Sequence, residues 1–338
     1  LSIKKSEDSI DIDVEQDYGW IYGVDARLLK LDENTFVMSN NRWIDAETGS
    51  KEKIDLRSGK TCDNGCMLIE TRLITVSKGG RSISASKGKI LCPEISHTTE
   101  KNWAFWKTIE DRLVFSYGLS PHHEVFSLKR VGNSIQCDGI RKIYSKNDFF
   151  KRFEKYYKGI VYVSVSTPAL LQENGKYLAL GHIKYKYRKI EDSKDFTEEE
   201  YGSGVRSSPE RKIVKFKNTR LARFHKKLLN NDKKFHPSFV YLMFLYEFEP
   251  VPPYEVTRIS SMFIPESPYA LSFPSNLTYS PELDSYIISY GDYDSRCKML
   301  IMSPKQVKNA LKPISSPRNV KFEMIKPITN ISLDEDIF

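Results

Sequence analysis

No run of apolar residues in this 338-residue chain approaches the roughly 20 that a bilayer-spanning helix needs. No secretory leader is visible, and the chain opens on Leu1 rather than Met. It therefore reads as an excised domain or processed product, tied to a membrane only through an anchor upstream. Two settings fit that reading: the lumen of the secretory pathway, and a cytoplasmic or viral one. The sequons Asn276-Leu-Thr and Asn330-Ile-Ser do not choose between them, since about two matches arise by chance in a chain with this Asn content. Also missing are a βαβ alternation and a Gly-rich dinucleotide fingerprint, which excludes a Rossmann-type core. Cysteine is scarce. The five residues cannot all pair internally, and Cys62-Asp-Asn-Gly-Cys66 either closes a tight loop or offers two metal ligands. No second Cys or His pair follows at zinc spacing, so free thiols or one small disulfide are expected, and no metal centre.

What is present points to strands. Hydrophobic residues make up 40% of the chain and aromatics 12%, with 19 Tyr and 18 Phe, enough for a large core of half-buried sheet. The formal net charge is +8, and much of it falls in 206–234, which holds Arg211, Lys212, Lys215, Lys217, Arg220, Arg223, Lys226, Lys227, Lys233 and Lys234. Such a run is either a solvated face or a surface for the phosphates of a nucleotide, an anionic membrane or nucleic acid. A specific nucleic-acid partner is not expected.

Short apolar strands ending on polar groups recur along the chain, most visibly at 166–182 and 283–296. Repetition of such units implies an all-β fold, a five-bladed β-propeller with short helical and loop excursions. The expected layout is a flexible lead-in over 1–15, a propeller over 16–303 with a charged insertion at 191–234, and a C-terminal extension over 304–338. Aromatics at 149, 150, 153, 156 and 157 predict a short helix, and the Pro-rich stretch 263–275 reads as loop.

Four segments carry a resemblance. They are Gly23-Val-Asp-Ala-Arg27, Glu100-Lys-Asn-Trp103 followed by Arg112-Leu-Val-Phe-Ser-Tyr117, Thr167-Pro-Ala-Leu170 with Gly181-His182, and the closing Ser-Tyr-Gly-Asp-Tyr-Asp that ends at Asp294. Together, in this order, they resemble the five-bladed β-propeller superfamily of β-mannoside phosphorylases and hydrolases with its related β-mannosyltransferases. The match spans about residues 19 to 303. Val24 and Ala26 depart from the family pattern, and 191–234 has no counterpart in it.

The resemblance implies that Asp25 is the catalytic carboxylate, acting as general acid in glycoside cleavage or as general base on an acceptor hydroxyl in synthesis. It implies that Lys101 and His182 bind phosphate. Arg27, Asn102, Tyr117, Tyr290 and Asp294 are candidate substrate contacts. Arg27, two residues from Asp25, is expected on the same strand face. Trp103 reads as core. His122-His123 lacks a carboxylate at useful spacing and is not read as a metal pair. No resident cofactor is called for; Asp292-Tyr-Asp294 alone leaves a divalent ion open.

The leading expectation is an inverting glycosyltransferase of β-mannosyltransferase type. It would take a sugar nucleotide or sugar phosphate as donor and an oligosaccharide or glycan as acceptor. A phosphorylase would use inorganic phosphate at the same residues. A hydrolase would need a second carboxylate, for which Glu94, Glu100 and Glu173 are the candidates. A non-catalytic glycan-binding propeller is the contrasting class.

Overall fold

The computed structural model describes residues 11–12, 23–44, 54–57, 59, 61–62, 65–77, 82–157, 161–186, 220–221, 223–224, 228, 239–265, 271–292 and 296–325. Four sheets hold most of the strands. The first comprises β1 (Gly23–Lys30), β2 (Thr35–Ile44), β3 (Cys66–Val76) and β4 (Ser82–Ala85), antiparallel neighbours in chain order. The second is a meander of β5 (Ala104–Lys107), β6 (Leu113–Gly118), β7 (Glu124–Val131) and β8 (Ser134–Tyr144). Helix α1 (Phe149–Tyr156) follows as expected, with Phe149, Phe150 and Phe153 buried. The third sheet is built on β9 (Val161–Val165), β10 (Tyr177–Lys186), β11 (Phe239–Phe248) and β12 (Val256–Ile259), with β13 (Met262–Pro265) joined to β11. The fourth has β14 (Ser272–Ser280), β15 (Ser285–Asp292) and β16 (Arg296–Met302). Helix α2 (Pro304–Ala310) then leads to β17 (Phe322–Ile325), which pairs in parallel with β13.

Successive sheets meet face to face, and the buried apolar residues sit between them. Strand β11 shows how. Side chains alternate along a strand. Val240, Leu242, Phe244, Tyr246 and Phe248 join the largest core, shared with the second sheet and α1. Met243 and Leu245 point the other way, into the core shared with the fourth sheet. A strand buried on both faces needs a near-continuous apolar run, which is what its sequence has. Strand β10 behaves likewise, with Tyr177, Ala179, Ile183 and Tyr185 on one side and Leu178 and Leu180 on the other. Contacts between sheets run from β1 to β5, from β6 to β9, from β10 and β11 to β14, and from β14 back to β1.

The expected all-β class holds. Five blades are not delineated: the described strands make these four sheets and a two-stranded ribbon, Ile54–Asp55 with Thr61–Cys62. The stretch 263–275 is not one loop, since it holds the end of β13 and the start of β14. Pro274 is accommodated next to an irregularity in the β14–β15 register, where a missing N–H costs least. Asp11–Ile12, within the expected lead-in, pairs in parallel with Ser82–Ile83. Most of 191–234 lies outside the described residues, but Leu221 and Phe224 are buried in the largest core. Two disulfides form rather than one at most: Cys62–Cys66 and Cys92–Cys137, leaving Cys297 exposed and free. The second pair is 45 residues apart and meets only because β8 returns to the turn at Cys92.

Candidate functional site

The site is organised around one buried guanidinium. Pairing of β1 with β2 runs Gly23 with Arg42 and Val24 with Asn41, then resumes at Arg27 with Ser39. Asp25 and Ala26 therefore stand opposite one residue, a β-bulge that bends the strand and re-aims its side chains. Asp25 takes φ +59°, the left-handed region that a short polar side chain tolerates better than most. The bulge also breaks the alternation, so the expected shared face is lost: Asp25 is exposed while Arg27 is buried.

Arg27 does not grip the Asp25 carboxylate. Its Nη1 donates to the Asp25 backbone carbonyl at 3.0 Å, its Nη2 to Asn102 Oδ1 at 3.1 Å, and its Nε to the Ser166 carbonyl. Its guanidinium also lies 5.6 Å from the centre of the Phe273 ring. One side chain thus ties together β1, the segment entering β5, the end of β9, and β14. Burial brings the Arg27 pKa down to about 10, against the opposing pull of the Asp25 charge, so the group stays cationic at neutral pH. Asn102 sits at φ +65°, a second left-handed non-glycine residue touching the same guanidinium. Backbone outliers of this kind persist only where surrounding contacts impose them, and they concentrate at functional sites.

The Asp25 carboxylate accepts a hydrogen bond from Asn41 Nδ2 at 2.8 Å. Asn41 itself is buried, and among the described residues its Oδ1 has no hydrogen-bond partner. Ser39 Oγ, two residues back on the same strand face, is likewise buried without one among the described residues. Buried polar atoms of this kind are ordinarily completed by an ordered internal water.

His182 stands on β10 opposite Ser164, and its Nδ1 lies 2.7 Å from the Oγ of Ser166, just past the end of β9. The imidazole packs edge-on against Phe273, 4.9 Å between ring centres, and beside Tyr241. Burial, then the charges of Arg27 and Lys184, push its pKa down to about 3. His182 is therefore neutral under ordinary conditions and brings no positive charge to the site. Lys101, next to Asn102, is exposed.

Five of the residues singled out in the sequence are thus brought together: Asp25, Arg27, Lys101, Asn102 and His182. Three are not. Tyr117 donates its hydroxyl to buried Glu100 at 2.9 Å and packs its ring on Trp103 and Phe126, inside the wall between the first two sheets. Tyr290 pairs with Pro274, one residue past Phe273, and is buried in the third core with Ile288 and Leu180. Burial, with Asp292 nearby, pushes its phenol up to about 12. Asp294 lies outside the described residues. Its neighbour Asp292 is buried in an ion pair with Lys298 at 2.5 Å. Trp103 is core, as expected, and donates to Glu100 at 3.1 Å. His122 lies beside Tyr144, and His123 is buried between Ser116 and the Tyr254 carbonyl.

Asn41, Ser166 and Phe273 were not legible as site residues. Asn40-Asn41 in the middle of a strand was a usable signal, because Asn is a poor strand residue without a special reason to be there. Nothing local marks Ser166 or Phe273.

No protein-family model matches the chain, and no curated protein does. Among solved structures it is similar to a periplasmic gluconolactonase of Pseudomonas aeruginosa, at 8% identity over 86% of this chain and 71% of that one, with a TM-score of 0.34. It is also similar to a putative 6-phosphogluconolactonase of Bacteroides fragilis, at 9% identity over 82% and 67% of the two chains, with a TM-score of 0.28. Likenesses of this size carry no inference about fold or activity.

Proposed function

We propose that the chain is a carbohydrate-active enzyme, an inverting glycosyltransferase that moves a sugar from a phosphorylated donor to a glycan hydroxyl. Asp25 is the general base. The observation that carries this reading is the presentation of Asp25: an exposed carboxylate on a bulge, oriented by Asn41 and backed by the Arg27 network. The carboxylate accepts a hydrogen bond from Asn41 Nδ2, which holds it in place to take a proton from an acceptor hydroxyl. In this reading the four sheets are blades of a propeller, and the site lies where their inner strands converge.

An inverting transfer needs one such carboxylate, because a phosphate leaving group departs without a strong acid. Hydrolysis would need a second carboxylate to activate water. Of the three candidates, Glu100 is buried and accepts from the His97 N–H, Trp103 and Tyr117, while Glu173 is exposed in a hairpin turn and Glu94 sits on a 3-10 turn beside Cys92. None is held by the Arg27 network.

The test is transfer itself. The protein is incubated with GDP-mannose, mannose 1-phosphate and other sugar nucleotides together with oligomannoside acceptors. Products are read by mass spectrometry, and the anomeric configuration by NMR. A new inverted linkage lost in Asp25→Asn is the expected result. Cleavage that depends on added inorganic phosphate would move the assignment to a phosphorylase. Glycan binding without turnover would leave a lectin-like propeller.

A further inference from the structure

Strand β2 pairs with β3 without interruption, from Thr35 opposite Thr75 to Ile44 opposite Cys66. Alternation therefore holds along β2, unlike β1, and Ser39, Asn41 and Trp43 share one face. Asn41 is the residue whose side chain holds the Asp25 carboxylate at 2.8 Å. Trp43 comes next on that face, about 7 Å further along the strand. Cross-strand partners also share a face, so Trp43 lies beside Met67 of β3. Met67 in turn bridges Thr99 in parallel: its N–H donates to the Thr98 carbonyl, and the Glu100 N–H donates to its own carbonyl. Trp43, Met67 and Thr99 thus form one row across β2, β3 and the segment that leads to Asn102.

The row is open to solvent. Trp43 is 42% exposed, whereas Trp103 and Trp106 are buried. Thr99 is exposed and Met67 half-buried. A single exposed aromatic is ordinary on a protein surface. The position of this one is what counts, because both ends of the row lead into the Arg27 network. One end runs through Asn41 to Asp25, and the other through the chain to Asn102, which accepts from Arg27 Nη2 at 3.1 Å. Arg42, between Asn41 and Trp43, is turned to the opposite face and pairs with Glu70, so the row itself carries no charge. One aromatic face, one thioether and one hydroxyl are far short of the roughly 800 Å² per partner of a stable protein interface. They match a single neutral sugar ring, which offers an apolar C–H face to stack and hydroxyls at its edge.

We propose that Trp43, Met67 and Thr99 form the acceptor subsite: a neutral sugar ring of the glycan stacks on Trp43 and turns a hydroxyl toward Asp25. The proposal rests on the transferase reading for the reaction, but not for the binding of a glycan on this row.

The experiment titrates oligomannosides of increasing length into the full chain by calorimetry. Wild type is compared with Trp43→Ala, Trp43→Phe, Thr99→Val and Asp25→Asn. Binding is expected in wild type and Asp25→Asn, about tenfold weaker in Trp43→Ala, and largely restored in Trp43→Phe. In the transfer assay Trp43→Ala should raise the acceptor KM by the same factor and leave kcat and the donor KM unchanged. Melting curves and near-ultraviolet dichroism check that the variants are folded. Thr99→Val, at an exposed position, keeps the test decisive if Trp43→Ala does not fold, and should weaken binding about fivefold by loss of one hydrogen bond. Affinity unchanged in folded Trp43→Ala and Thr99→Val, or no oligomannoside binding by wild type, overturns the proposal. The two readings fail separately: transfer with an unchanged acceptor KM in Trp43→Ala would sink the subsite and leave the transferase. Glycan binding that depends on Trp43, without transfer from any donor, would do the reverse.

Discussion

Two buried histidines should make the stability of this protein fall steeply in mild acid. His123 is wedged between Ser116 Oγ, 2.9 Å from its Nε2, and the Tyr254 carbonyl, 3.0 Å from its Nδ1, and burial pushes its pKa down from 6.5 to about 4. His182 is pushed down to about 3 by burial and by Arg27 and Lys184. Both are neutral when folded and titrate normally when unfolded. The unfolded chain takes up protons that the folded chain refuses, so this contribution is fully present above about pH 6.5 and is lost as pH falls toward the folded values. At pH 5 each histidine costs about 2 kcal/mol relative to pH 8, or about 4 kcal/mol together. That is a large share of the roughly 5–15 kcal/mol that holds an ordinary domain together. Glu100 and Glu154 act in the opposite direction, because burial raises their pKa and they take up protons while still folded. The clean reading is therefore a difference between variants. Urea denaturation followed by tryptophan fluorescence at pH 8, 6 and 5 should show wild type losing stability faster than His123→Gln or His182→Gln, by about 2 kcal/mol in each variant at pH 5. Equal pH slopes in wild type and both variants would refute the assignment of these rings as buried and neutral.

Asp25→Asn keeps a side chain that tolerates the left-handed backbone and should melt within a degree or two of wild type, while turnover falls about a hundredfold or more in the transfer assay. Arg27→Met strips the donor from three acceptors, the carbonyls of Asp25 and Ser166 and Asn102 Oδ1, and should cost about 3–6 kcal/mol in urea denaturation. Gly181→Ala would place a methyl 2.4 Å from Phe244 Cζ and 2.8 Å from the Ser164 carbonyl, so a loss of about 1–3 kcal/mol is expected, with a displaced His182 resonance in the NMR spectrum. Replacing Cys92 and Cys137 together by Ser opens a loop closed across a separation of 45 residues and should cost about 4 kcal/mol by chain entropy, measured as a drop in the denaturant midpoint.

The sequence alone determined the class of fold and most of the strands. The apolar run of β11 and the aromatic spacing of α1 are local patterns set by the period of each element, so they can be read without knowing the partners. Motif order likewise brought Asp25, Arg27, Lys101, Asn102 and His182 onto the list before their proximity was visible. What the tertiary structure decided were relations between distant segments. A bulge opposite Asn40 separated Asp25 from Arg27, which strict alternation had placed together. The Ser166 carbonyl and Asn102, distant in sequence, completed the bonding of one guanidinium. Burial and the nearby charges of Arg27 and Lys184 lowered the pKa of His182, which its place in the sequence could not show. The same packing withdrew Tyr117 and Tyr290 into cores. Hydrophobic period is a local property, whereas register shifts, desolvation and charge proximity depend on which strand ends the folded chain brings together.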